Sequence, residues 1–139
     1  MIEIAIVEDE EKEALRLGSF LDRFSKETGA ELSHKWWDSA SAFLEQYQFQ
    51  YDLIFMDIRM PGIDGMAAAE RLREIDSAVK LIFITSLAQY AVQGYSVDAL
   101  DYILKPVSYA AFALKMQRAV ERCAHRAEQW LLLNTNSGA

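Results

Sequence analysis

The chain has 139 residues, enough for one ordinary domain with its own core, and a formal net charge of −7. That charge argues against direct contact with nucleic acid, whose partners present strongly basic faces. Apolar residues make up 52% and charged residues 25%, the balance of a soluble globular protein, and no apolar run approaches the roughly 20 residues that cross a bilayer.

A single cysteine, Cys123, cannot close an internal disulfide and suits a reducing cytoplasm. The acidic start Met1-Ile2-Glu3-Ile4-Ala5-Ile6-Val7-Glu8 is too short in apolar length for a signal peptide. Ile2 to Val7 reads as a mostly apolar strand that stops at Glu8-Asp9-Glu10-Glu11. Leu17, Leu21 and Phe24 then recur at helical spacing, and Thr28-Gly29 closes that helix with a glycine past its end. Leu32 to Trp37 carries Ser33, His34 and Lys35 and reads as a wetter edge strand. Ser39 or Ser41 caps a short helix with Ala40, Phe43, Leu44 and Tyr47 on one stripe.

Leu53-Ile54-Phe55-Met56 is a continuous apolar run, the pattern of a central parallel strand buried on both faces. It ends abruptly in Asp57 and a loop punctuated by Pro61, Gly62 and Gly65. A helix is predicted from near Gly65 to about Ile75 through Met66-Ala67-Ala68-Ala69. Lys80 to Thr85 is the next strand, ending in the hydroxyls Thr85 and Ser86, and a short helix over about Leu87 to Gln93 precedes Gly94. A last brief strand, Asp101 to Leu104, ends at Lys105-Pro106. The final helix, about Ser108 to Gln129, is predicted to bury Phe112, Met116, Val120, Cys123 and Ala127 and to expose Lys115, Arg118, Arg122 and Arg126. His34, His125, Trp36 and Trp37 read as packing or surface residues. Residues 1–127 form the domain, and 128–139, where the character changes, read as a tail or linker.

Strands alternating with helices through short loops imply a doubly wound α/β domain with a parallel sheet. All strand ends then lie along one edge, where open α/β sheets place their ligands. Glu8, Asp9, Asp57, Thr85, Ser86 and Lys105 therefore converge on one cleft. Three carboxylates at close quarters repel by roughly 4 kcal/mol per pair at ~4 Å and an effective dielectric of ~20, so a cation belongs among them. Lys105 neutralises part of that charge, and an oxygen-only set suits Mg²⁺, with Mn²⁺ as second choice. A carboxylate beside such an ion and a lysine is a plausible phosphoryl acceptor, with a hydroxyl such as Thr85 in reach of a phosphoryl oxygen. Each residue also has an ordinary reading. An acidic run opens many helices, aspartate often starts a turn, and threonine often closes a strand. The joint placement at strand ends is what favours chemistry.

Glu8-Asp9, Asp57 followed by Met60-Pro61 and Gly65, Thr85-Ser86, Asp101-Tyr102 and Lys105-Pro106 together resemble the receiver domain of bacterial two-component response regulators, over about residues 2–127. The resemblance implies a flavodoxin-like five-stranded sheet of order 2-1-3-4-5. It implies that Asp57 accepts a phosphoryl group from a histidine kinase's phosphohistidine or from a small phosphodonor. Asp9, Asp57 and the backbone carbonyl of Arg59 would bind Mg²⁺, with Glu8 acting through water. Lys105 would pair with the phosphorylated Asp57, Thr85 (with Ser86 beside it) would approach the phosphoryl group, and Tyr102 would turn inward as a two-position switch.

Asp98-Ala99 stands where many receivers have Gly-Ala, and the stretch from Tyr95 to Val107 looks more like receivers attached to LytTR-type DNA-binding domains. The tail from Leu131 to Gly138 loosely resembles the beginning of such a domain, which would hold any DNA contact. Expected partners are a cognate kinase and either a second copy or a linked output domain, with no membrane and no enzymatic turnover. Two other readings compete: a receiver-like interaction module that is not phosphorylated, and a Mg²⁺-dependent phosphohydrolase with Asp57 as nucleophile. The second usually needs another carboxylate close to the nucleophile, and Arg59 stands where the haloacid-dehalogenase pattern has aspartate.

Overall fold

Five parallel strands in the order β2-β1-β3-β4-β5 form the centre of the molecule. The computed structural model describes residues 1–137, with side chains through Cys123. In chain order the elements are β1 (Ile2–Val7), α1 (Glu11–Thr28), β2 (Leu32–Trp37), α2 (Ala40–Glu45), β3 (Leu53–Met56), α3 (Gly65–Ile75), β4 (Lys80–Thr85), two 3-10 turns (Ala88–Tyr90 and Val92–Val97), β5 (Asp101–Leu104) and α4 (Tyr109–Ser137). The fold is the doubly wound sheet that the alternating pattern predicts.

The two-residue repeat of the strands divides the core into two layers. Ala5, Val7, Ile54, Met56, Leu81 and Phe83 face α2 and α3. Ile4, Ile6, Phe55, Ile82, Ile84 and Ile103 face α1 and α4, where Leu17, Leu21, Phe112 and Met116 meet them. All four residues of β3 are buried, which explains its unbroken apolar sequence. β2, on the edge, is half wet, and its His34 pairs with Asp22 of α1 at 2.8 Å. Helix ends follow local chemistry: Ser39 Oγ accepts from the Ala42 N–H at 3.1 Å, Asp64 Oδ1 accepts from the Ala67 N–H at 2.8 Å, and Gly29 (φ 78°) closes α1 in the left-handed region.

Near the amino edge of the sheet, Asp52 and Asp76 accept from main-chain and side-chain donors. Asp52 Oδ2 accepts from the Glu3 N–H at 2.9 Å. Buried Asp76 accepts from Ala78 N–H (2.9 Å), Val79 N–H (3.1 Å) and the Tyr47 hydroxyl (2.6 Å). Arg73 of α3 reaches under the sheet and donates to the carbonyls of Val97 (2.6 Å), Val79 (2.6 Å) and Asp98 (3.1 Å).

Two elements differ from the sequence reading. The helix predicted over Leu87 to Gln93 is instead a pair of 3-10 turns that continues through Gly94 to Val97, closed by i→i+3 bonds such as Ala91 N–H to Ala88 O and Gly94 N–H to Ala91 O. A short segment with Val92 and Gly94 has little helix propensity of its own, so packing and the Arg73 clamp set its shape. The last helix also runs past Gln129 to Ser137, because no glycine or proline interrupts it before Gly138. Along α4, Phe112, Met116 and Cys123 are buried as predicted, Val120 is only partly so, and Ala119 joins the stripe. Lys115, Arg118 and Arg122 are exposed, while the side chains of His125, Arg126 and Ala127 lie outside the described residues.

Candidate functional site

The carboxyl ends of β1, β3, β4 and β5 deliver the site. β1 runs directly into Glu8, whose N–H donates to Trp37 O at 3.0 Å and whose carbonyl accepts from the Trp36 indole at 2.7 Å. β3 runs into Asp57, whose N–H donates to Val7 O at 3.1 Å. The main chain thus fixes both acids before their side chains make any contact. Glu8, Asp9 and Asp57 each offer a carboxylate oxygen, and these oxygens lie within 4.8 Å of one another. Glu8 and Asp57 are buried, at 4% and 7% exposure, and Asp9 is half-buried.

Lys105, at the end of β5, closes the cluster. Its Nζ donates to Glu8 Oε1 at 2.5 Å and to Asp57 Oδ2 at 2.9 Å. A third carboxylate, Glu13 of α1, lies 3.9 Å from the same nitrogen. Burial first, and then the charge of Asp57, push the Glu8 carboxyl up to about 7, against the opposing pull of Lys105. Burial alone would push the Lys105 ammonium down, but its bonds to Glu8 and Asp57 outweigh that and hold it above the usual lysine range. One ammonium among four carboxylates leaves the cleft with excess negative charge. The donor set is all oxygen, crowded within 4.8 Å and partly open, so it fits a hard divalent cation such as Mg²⁺.

Asp57 Oδ1 accepts from the Arg59 N–H at 3.4 Å, which places the Arg59 backbone beside the acid cluster while its side chain is exposed. Thr85 is fully buried and its Oγ1 accepts from the Leu87 N–H at 3.3 Å; Ser86 is exposed. Tyr102 is half-buried against Phe83, with ring centroids 5.8 Å apart, and its hydroxyl donates to the Leu87 carbonyl. Burial, and then the negative charge of Asp57, raise its phenol above the ordinary range. Leu87 thereby meets both β4's last hydroxyl, to which its N–H donates, and β5's tyrosine, from which its carbonyl accepts. The Lys105-Pro106 peptide is cis.

Gly65 is required by close approach. A Cβ there would lie 2.0 Å from the Asp57 carbonyl oxygen, and the Gly65 N–H donates to Ile58 O at 2.8 Å. Of the residues singled out in the sequence, Glu8, Asp9, Asp57 and Lys105 form one cluster, Thr85 and Tyr102 meet through Leu87, and Ser86 is exposed. Glu13 was not singled out. Its one available signal was its place in the acidic first turn of the helix that follows Glu8-Asp9.

This sheet order and this edge define a response regulator receiver domain. The sequence model of that family, described as the response regulator receiver domain, matches residues 4–117, and the chain belongs to it. It is thus a signalling domain of the two-component type. It is 30% identical over 131 residues to the sensory transduction protein LytT of Bacillus subtilis (strain 168), covering 93% of this chain and 53% of LytT. Other relatives also carry the name LytT, in line with the resemblance seen between Tyr95 and Val107. The response regulatory domain of protein mrkE from Klebsiella pneumoniae superposes with a TM-score of 0.76 at 26% identity, covering 89% of this chain and 99% of that one. The response regulator TrrA of Thermotoga maritima, solved in complex with Mg²⁺–BeF, gives a TM-score of 0.72 at 25% identity, covering 86% and 99%. The chain spans about half or less of the length of the curated relatives it matches. No helix among the described residues is long and apolar enough to cross a membrane.

Proposed function

We propose that the chain is a phosphoryl-operated switch in which Asp57 accepts a phosphoryl group from the phosphohistidine of a cognate histidine kinase in the cytoplasm. The observation that carries this reading is the Lys105 ammonium bonded at once to Asp57 and Glu8. An Asp57 carboxylate oxygen attacks phosphorus, a P–O bond forms, the P–N bond to the donor imidazole breaks, and its electron pair stays on the imidazole nitrogen. Lys105 follows the new negative charge from the Asp57 carboxylate to the phosphoryl oxygens. The buried Thr85 hydroxyl, which only accepts a long bond from Leu87, is available to donate to one of those oxygens. Mg²⁺, held by Asp9, Asp57 and the Arg59 carbonyl with Glu8 acting through water, would offset charge on the transferring group.

The readout is a shift between two arrangements of the surface made by the 3-10 turns, β5 and the start of α4, worth ~1–3 kcal/mol of coupling. Tyr102 and Thr85 both bond to Leu87, at the first residue of that surface. On this reading, a phosphoryl group on Asp57 that draws Thr85 or Tyr102 toward it passes the change to that surface at Leu87. LytT of Bacillus subtilis is about twice as long as the part it shares with this chain, which supports a linked output domain, and the LytT name favours the LytTR DNA-binding type. Phosphorylation would control that domain or pair two copies through this surface.

Intact mass after incubation with acetyl phosphate and Mg²⁺ tests the acceptor, with Asp57→Asn and a chelator-treated sample as controls. The expected result is one added phosphoryl group, absent from both controls. No added mass, together with no binding of beryllofluoride, would leave an unphosphorylated interaction module in its place.

A further inference from the structure

We infer, on the phosphoacceptor reading of Asp57, that Glu13 is a positioning residue for phosphoryl transfer that acts through Lys105. Lys105 carries three N–H donors, and two are committed to Glu8 and Asp57 at 2.5 and 2.9 Å. Both of those partners belong to the acid trio suited to a divalent cation. When the trio's charge is shared with a cation, their hold on the ammonium weakens and the cation repels it. When Asp57 becomes an acyl phosphate, its carboxylate is gone. Glu13 lies outside the trio, comes from a different element, and places its carboxylate 3.9 Å from Nζ without sharing in either change.

The surroundings strengthen this pair. Glu13 and Lys105 line the same recess as Leu17 and Ile84, so apolar walls stand behind them, and their side chains are 30% and 16% exposed. One turn further along α1, Arg16 donates to the Val107 carbonyl at 2.8 Å, two residues after Lys105. Helix α1 thus grips the Lys105–Val107 loop at two points, once by charge and once by a hydrogen bond. Acids are favoured in any first helical turn, which accounts for Glu11 as well as for Glu13. Only Glu13 is turned onto the lysine.

The test compares wild type, Glu13→Gln and Glu13→Asp for phosphoryl uptake from acetyl phosphate at low salt. Glu13→Gln is expected to lower the maximal rate about threefold, the size of a partly exposed ion pair, without changing the half-saturating acetyl phosphate concentration. Glu13→Asp keeps the charge and restores most of the rate. The gap between wild type and Glu13→Gln closes as salt screens the pair. In the metal-free protein, ¹⁵N relaxation of the Lys105 ammonium should show greater mobility in Glu13→Gln than in the other two. A Glu13→Gln rate equal to wild type at low salt overturns the inference. So does an equal slowing of both variants accompanied by a lower melting temperature, which marks a structural role. A wild type that takes up no phosphoryl group overturns the acceptor reading itself, a separate result visible before any variant is made.

Discussion

The two edges of the sheet use the same side chain in opposite ways. At the amino edge, Asp76 is as buried as Asp57, at 6% against 7%, but it faces two backbone N–H groups and a tyrosine hydroxyl. At the carboxyl edge, Asp57 faces other carboxylates and one lysine. Carboxylates surrounded by donors hold a loop in place. Carboxylates surrounded by their own kind store repulsion that a cation or a phosphoryl group can exploit. Burial alone does not separate the two cases; the neighbours do.

That contrast yields measurable differences. The largest is at the amino edge: Asp76→Ala strips the partner from two buried donors and one part-buried one and should lower unfolding free energy by about 3 kcal/mol in urea titrations. Phosphoryl uptake per folded molecule should be unchanged. A cost near zero would erase the distinction between the edges.

Next comes pH. Unfolded, Glu8 titrates at about 4.5, and folded it is held up to about 7, so between these values the folded protein keeps a proton that the unfolded chain has lost. Stability of the metal-free protein should therefore fall as pH rises across that window, by on the order of 2 kcal/mol, and level off above it. Urea titrations in chelator at pH 5 and pH 8 measure it, and Glu8→Gln should flatten the slope. Because the metal must displace that proton, Mg²⁺ affinity should rise with pH up to about 7, followed by Trp fluorescence or calorimetry.

Asp57→Asn removes one of the crowded charges and should raise the metal-free unfolding free energy by about 1 kcal/mol, the reverse sign of the Asp76 substitution. The smallest effect is at Tyr102, where Tyr102→Phe removes only the bond to the Leu87 carbonyl and should cost about 0.5–1 kcal/mol. Tyr102→Ala should weaken output, read as dimerisation or as activity of the linked domain, while Asp57 is still phosphorylated. Equal loss of both would remove the tyrosine from the relay.

The carboxyl edge was legible in the sequence because chemistry there coincides with strand ends. Glu8, Asp57, Thr85 and Lys105 each stop an apolar run, and a parallel sheet brings such stops together. The amino edge left no comparable mark. Tyr47 and Asp76 are far apart in the chain; Tyr47 read only as part of an apolar helical stripe and Asp76 belonged to no pattern, so their pairing emerges only when α2 and the α3–β4 loop pack. Glu13 was hidden for a related reason, since an acid in a first helical turn already has a local explanation. The segment after Thr85 was read as helix because composition cannot weigh local preference against the carbonyls that Arg73 captures at Val97 and Asp98.

The zero clearance at Gly65 makes the molecule mechanically lopsided. With a hydrogen atom where any other residue would place carbon 2.0 Å from the Asp57 carbonyl, α3 abuts the main chain of Asp57 without slack. A push on Asp57 cannot be absorbed on that side without moving the whole helix. The other side, past Thr85, is two short 3-10 segments of three and six residues and a four-residue strand, with Val92 and Tyr95 standing in solvent. If Asp57 takes up a phosphoryl group as proposed, this asymmetry favours displacement toward the flank past Thr85, where no such close contact stands in the way.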